Sequence, residues 1–225
     1  MDSEEKEGNI GESGDFVTMK YGDELLDLHG RRVAIARVIS RLTPAPLINL
    51  YACIIFSLYS PIGLGPFLSP LSNILLCIIM MVFLPITPIL YSARKGLVDL
   101  DVSDWDSRRK YFLFSLPFYL GAFIVYFGLS CIIMSALAAA YFTVTSGVTI
   151  ANQKSKVSVH GAGIGGPGTA LFFVFGWFAL PVIIVWILVI WSRTILKQHS
   201  LKQSIAGVLL GIIITLCTYP FVYII

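Results

Sequence analysis

Four long stretches of the chain carry no charged residue: 42–93, 111–153, 157–192 and 203–225. One bilayer crossing takes about 20 apolar residues. The first two stretches therefore predict two crossings each, and the last predicts one. As a single helix the third would be about 54 Å long at roughly 1.5 Å per residue. That exceeds the roughly 30 Å hydrocarbon core, so two short crossings of about 18 residues fit it better. The pattern predicts an all-α fold, a polytopic integral membrane helical bundle of seven crossings. Six is the alternative, if one piece broken by Pro or Gly re-enters the membrane instead of crossing it.

All charged residues fall in the windows between these stretches: 1–41, 94–110, 154–156 and 193–202. The turns expected at 63–70, 129–135 and 176–181 contain none. All four windows then lie on one side. Lys and Arg collect on the cytoplasmic side of membranes. The expected topology puts the N-terminus and every charged loop in the cytoplasm, and Ile225 outside.

The chain divides into a cytoplasmic segment, 1–41, and a transmembrane bundle, 42–225. Residues 1–28 are rich in Asp and Glu and read as a solvated, disordered tail. This opening is not a signal peptide, which would begin with a positive region followed by an apolar one. From 23 to 42, Leu25, Leu26, Leu28, Val33, Ile35, Val38, Ile39 and Leu42 alternate with Arg31, Arg32, Arg37 and Arg41. That pattern suits an amphipathic helix on an anionic leaflet, or else a plain juxtamembrane linker.

Composition narrows the class further. The 225 residues are 56% hydrophobic and 13% charged, with mean hydropathy +0.82. Soluble domains carry about 25% charged residues. Disordered, collagenous, coiled-coil and disulfide-scaffold classes are excluded. The net charge of +3 is small and confined to loops, so no nucleic-acid partner is expected. Cys53, Cys77, Cys131 and Cys217 lie in apolar runs without CxxC or metal spacing.

The candidate chemistry sits in the charged windows. His29 reads as an interfacial residue. His160 and His199 lie at helix mouths on one side, beside Lys154, Lys156, Ser158, Ser192, Arg193, Lys197 and Lys202. Arg108, Arg109 and Lys110 join them from the second window. Arg, Lys, Ser and His with few acids nearby form the inventory of a phosphate site. Arginine forks grip phosphate oxygens, and neutral His attacks phosphorus or passes a proton. Asp99, Asp101, Asp104 and Asp106 have no second carboxylate cluster opposite them, so a two-cluster magnesium site is not expected. Gly161, Gly163, Gly165, Gly166 and Gly168 follow no strand and read as close helix packing, not as a dinucleotide loop.

Ser192-Arg193, five residues, then His199 resembles the third signature, SR-x5-H-x3-D, of the type 2 phosphatidic acid phosphatase superfamily, whose core is similar to that of the vanadium haloperoxidases. Ser158-Val159-His160 is similar to a reduced second signature, PSGH. Arg109 resembles the Arg of the first, K-x6-RP. The order along the chain is the family's, over roughly 94–225. The resemblance implies His199 as nucleophile and His160 as proton donor to the leaving group. Arg193, Arg109 and Ser158 would hold the phosphoryl oxygens. It implies no metal and no other cofactor. Departures are Val102 for the Lys, Lys110 for the Pro, Val157 and Val159 in the second signature, and Gln203 for the Asp that orients the nucleophile. Gln203, one helical turn from His199, is expected to hydrogen-bond its ring, and Lys156 either to stand in for the missing Lys or to serve as an inside-positive anchor.

The expected activity is a metal-independent membrane lipid phosphatase acting on phosphatidic acid, phosphatidylglycerophosphate or prenyl phosphates. Transfer of the phosphoryl group to another lipid would use the same residues. The alternatives are a non-catalytic lipid-phosphate binder, scaffold or scramblase, and a transporter with an anion site.

Overall fold

A computed structural model describes residues 19–224. The acidic stretch 1–18 and Ile225 lie outside the described residues. The described chain is helical without strands. Its helices are α1 (Arg31–Leu42), α2 (Ala45–Tyr59), α3 (Pro70–Cys77), α4 (Leu84–Arg94), α5 (Trp105–Gly128), α6 (Ile132–Ala151), α7 (Val159–Phe175), α8 (Pro181–Ile195) and α9 (Leu201–Val222). A π-helical stretch, Ile78–Phe83, joins α3 to α4.

The helix starts follow from local chemistry. Asp104, Ser158 and Ser200 cap α5, α7 and α9 by accepting backbone N–H bonds from Ser107, Gly161 and Gln203. Each satisfies a donor that a helix start leaves open. Pro85 has no N–H to give Met81, the residue four before it. The Asn49 side chain supplies the missing donor, at 3.0 Å from the Met81 carbonyl.

Five spans are long and apolar enough to cross a membrane: Pro70–Arg94, Ser107–Gly128, Ile132–Ala151, Val159–Ala179 and Leu201–Val222. The count is six if the bent pair α1 and α2, 59° apart, is one span. Among the described residues seven full-length crossings are not reached. The third uncharged stretch does divide at Gly176, but its second half, α8, has only 15 residues. At roughly 1.5 Å per residue that is about 22 Å, short of the hydrocarbon core.

The uncharged turns meet at one end of the bundle and the charged loops at the other. A Cβ on Gly65, at φ 78°, would stand 2.5 Å from the Ser130 carbonyl oxygen. At the opposite end, Ser103 Oγ lies 3.1 Å from Gln198 Oε1. The Ser158 N–H donates to the Gln203 carbonyl at 3.3 Å.

The closest packing joins α7 to α9. Gly161 and Gly165 face Ser204 and Val208, while Gly207 and Gly211 face Ser158 and Ala162. These paired small-xxx-small rows let two backbones touch. A Cβ on Gly207 would lie 2.4 Å from the Ser158 carbonyl oxygen. Gly207→Ala should therefore cost about 1–3 kcal/mol, as overpacking does. Thermal unfolding in detergent reads this directly. Gly128→Ala is the control, because a Cβ at Gly128 meets nothing within 4 Å.

Candidate active site at the charged end

The Arg193–His199 spacing is made by the way α8 stops. Lys197 adopts the left-handed conformation, φ 54°. Its N–H donates to the Thr194 carbonyl at 3.1 Å, and the Gln198 N–H donates to the Arg193 carbonyl at 3.2 Å. These two bonds form a Schellman turn. The His199 N–H reaches the same Arg193 carbonyl at 3.3 Å. Ser200 then opens α9 with a capping box, in which Gln203 Oε1 accepts from the Ser200 N–H at 2.9 Å. His199 is held between two helix ends.

The loop before α5 brings in a carboxylate. Asp99 accepts from the N–H groups of Asp101 and Ser103 at 2.8 and 2.9 Å. Val102 sits at φ 46°, a costly conformation for a β-branched residue. Its carbonyl accepts from Arg108 Nε at 2.6 Å. This knot turns Asp101 inward. Asp101 Oδ2 accepts from Arg193 Nη1 and Nη2 at 3.2 and 3.3 Å. Arg193 Nη1 also donates to Ser40 Oγ on α1 at 2.7 Å. Asp101 Oδ1 stands 3.9 Å from His160 Nε2 on the first turn of α7.

Most of the expected residues meet here. Arg193 and His199 are only 1% and 6% exposed, and the His160 side chain is 12% exposed. Ser158 is buried, with its Oγ capping α7 at Gly161. Lys156 is half-buried and acts electrostatically on His199. Two expectations change. Arg109 is exposed, while Arg108 beside it is 3% exposed and faces the cluster. Gln203 does not hold the His199 ring: its carbonyl oxygen is on the Ser200 N–H, and His199 Nδ1 has no partner among the described residues.

The cluster is short of acceptors. Arg108 Nη1, Arg193 Nε, His199 Nδ1 and Ser204 Oγ are buried without a hydrogen-bond partner among the described residues. Its field is positive. Burial, together with Arg108, Arg193 and Lys156, pushes His199 down to about 2. Lys156 is lowered by burial and by the same two arginines. His199 is therefore neutral at physiological pH, with a lone pair to offer. Among the described residues no three His, Cys, Asp or Glu side chains converge as a metal site.

The chain matches no family model, no curated protein and no solved structure.

An apolar chamber lies between α2, α4, α5, α6 and α7 near the charged end. Tyr111 and Phe112, one turn beyond Arg108, and Val159 and Ala162, flanking His160, line the charged end. Pro85, Tyr119 and Tyr141 line the deeper part.

Sequence reasoning listed Arg108 among the basic residues but gave the site role to Arg109, and it gave Asp101 and Ser40 no place in the cluster. A signal for Arg108 exists. Arg108, Tyr111, Ser115, Tyr119, Ala122 and Tyr126 recur at spacings of three and four and are all buried, the inner stripe of one helix. Arg109 falls off that stripe. Asp101 and Ser40 left no comparable signal, because loop closure and the docking of α1 on α8 bring them in.

The state of His199 sets a pH dependence. Its ordinary value is 6.5 and its folded value about 2, so on acidification the unfolded chain takes up the proton first. This contribution to stability is complete above pH 6.5 and drains away as pH falls from 6.5 toward 2. Denaturant unfolding in detergent, compared between pH 7 and pH 4.5 (roughly the middle of that window), should show a smaller loss in His199→Gln than in the unsubstituted protein.

Proposed function

We propose that this chain is a membrane lipid phosphatase that cleaves a phosphomonoester or diphosphate of a lipid or prenyl alcohol through a phosphohistidine on His199. One observation carries the reading: buried Arg108 Nη1 and Arg193 Nε lack acceptors in the same cluster as a neutral, unpartnered His199. A buried donor left unpaired costs about 1–3 kcal/mol, and more when charged. A phosphoryl group supplies several acceptor oxygens and negative charge at once.

The chemistry runs in two steps. A His199 ring nitrogen attacks phosphorus. The bond from phosphorus to the lipid oxygen breaks, and that oxygen leaves with the electron pair and takes a proton from His160, which carries it as an imidazolium beside Asp101 once the negative charge of the phosphate is bound. Water then attacks the phosphohistidine and returns a proton to His160, the phosphorus–nitrogen bond breaks, and inorganic phosphate departs. Arg108 and Arg193 stabilise charge on the phosphoryl oxygens in both transition states. Asp101 fixes the Arg193 fork, leaving Arg193 Nε toward the phosphoryl group. The apolar chamber takes the hydrocarbon chain. The positive bias of the loops supports a cytoplasmic position for this end of the bundle.

A second reading draws on the His199 ring, whose Nδ1 lacks the carboxylate partner that would support an imidazolium. The same site would then bind lipid phosphate without turning it over.

Phosphate release from phosphatidic acid, phosphatidylglycerophosphate and a prenyl diphosphate, measured in detergent with EDTA, separates the two. The phosphatase reading expects release that falls roughly a thousandfold or more in His199→Ala. Arg108→Ala should lose about 10²–10³-fold, as loss of one transition-state donor does, whereas Arg109→Ala should stay near the unsubstituted rate. Release unaffected by His199→Ala would overturn the phosphohistidine mechanism. Lipid-phosphate binding without release would establish the second reading.

A further inference from the structure

The segment preceding α1 lies across the charged end. The Leu100 N–H donates to the Lys20 carbonyl at 2.9 Å, pinning the segment to the loop that carries Asp101. Gly22 is buried, and a Cβ there would stand 2.1 Å from Ser103 Oγ and 2.8 Å from Gln198 Oε1. The strap therefore touches both loops that build the site, and a side chain at Gly22 would have to push the Ser103 and Gln198 side chains aside. Asp23 is buried, and its carboxylate accepts from Arg37 Nε on α1 at 2.7 Å. Arg37 Nη2 donates to the Leu28 carbonyl at 3.3 Å. Glu24 pairs with Arg41, whose guanidinium lies 5.0 Å over the Tyr21 ring. Burial and the nearby Asp101 carboxylate raise Tyr21, in keeping with its place above the cluster.

The strap and the chamber sit on different sides of the same cluster. One side is roofed by polar backbone and side chains anchored to α1. The apolar space between helices is lined near the cluster by Tyr111, Phe112 and Val159, and by no residue of the strap. We infer that the strap around Gly22 and Asp23 closes the aqueous route to the site and makes it selective for phosphate esters that arrive from the bilayer. The inference rests on the phosphatase reading for its substrate and deepens it. Water-soluble phosphate esters are turned away by access, not by chemistry, because the phosphoryl donors would serve them equally. Asp23 is the main anchor: its partner Arg37 is only part-exposed, and removing one member of such a pair leaves the other charge poorly compensated. The Glu24–Arg41 pair is more exposed and holds less.

Two variants loosen the strap differently. Asp23→Ala removes the anchor, and Gly22→Phe forces the strap off Ser103 while the Asp23–Arg37 pair remains. Both are made in the full chain, with and without Ser103→Cys, and checked for folding by gel filtration. The first readout needs no catalysis: the rate at which Ser103→Cys reacts with a charged, water-soluble maleimide. It should rise about tenfold or more in either variant, as local opening does. The second readout is hydrolysis of p-nitrophenyl phosphate beside long-chain phosphatidic acid. The ratio of soluble to lipid turnover should also rise about tenfold, a shift of roughly 1.4 kcal/mol in relative barrier. Unchanged labelling in both variants overturns the strap as a cover. Faster labelling with an unchanged turnover ratio overturns it as a selectivity device. If neither ester is cleaved by any form, the phosphatase reading and this selectivity fall together, while the labelling rate alone decides whether the strap covers the cluster.

Discussion

The contact on which everything else depends is the backbone-to-backbone packing of α7 on α9. Lipid-facing apolar helices gain little from mutual hydrophobic burial, since the bilayer is equally apolar. Close van der Waals approach drives their association, and glycine permits it. Gly161 and Gly165 on one helix and Gly207 and Gly211 on the other make that approach. His160 is on the first turn of α7 and His199 immediately precedes α9. Bringing the helix starts together brings the two histidines to one cluster, and the Ser158 N–H to Gln203 carbonyl bond fastens the register. A methyl group at the seam would therefore disturb the site as well as stability.

The cluster built on that seam is unbalanced by design of its surroundings. Arg193 is compensated by Asp101 and Ser40, yet its Nε and Arg108 Nη1 remain without acceptors. Buried cations in this state are expensive, and the shortfall of acceptors is what the proposed phosphoryl ligand meets. Burial and the same positive field keep His199 unprotonated. In the proposed mechanism the electrostatics that favour an anion also prepare the nucleophile. A carboxylate sits in the cluster, but it stands by His160 and Arg193 and not by His199.

The charge windows made the architecture legible. Where Lys, Arg, Asp and Glu stop, a span begins, and the turns at 63–70 and 176–181 fall between α-helices up to Pro70 and Pro181, whereas the turn expected at 129–135 is confined to 129–131 because α6 begins at Ile132. The shortness of α8 was foreshadowed by a third stretch too long for one helix and tight for two. Arg193, His199, His160 and Ser158 were readable because each lies beside a helix end that the local sequence specifies: a Schellman turn at Lys197 and caps at Ser158 and Ser200. The motif pointed to Arg109, which is exposed, while Arg108 is the buried one, because motif spacing is blind to which side of a helix faces inward, whereas the stripe through Tyr111 and Ser115 is not. Gln203 was assigned to the His199 ring because residues one turn apart can meet. The Ser200 N–H competes for the same oxygen and holds it. Asp101 depends on a turn with Val102 at positive φ, which no residue type announces.

The central claim is that His199 carries the phosphoryl group, and direct trapping tests it most closely. Protein quenched during turnover of phosphatidic acid, digested at neutral or alkaline pH and sequenced by mass spectrometry should carry an acid-labile phosphoryl group on His199. That group should be absent from His199→Ala and rare in Arg108→Ala. Phosphate release with the group on another residue, or with none on any histidine, would contradict the mechanism.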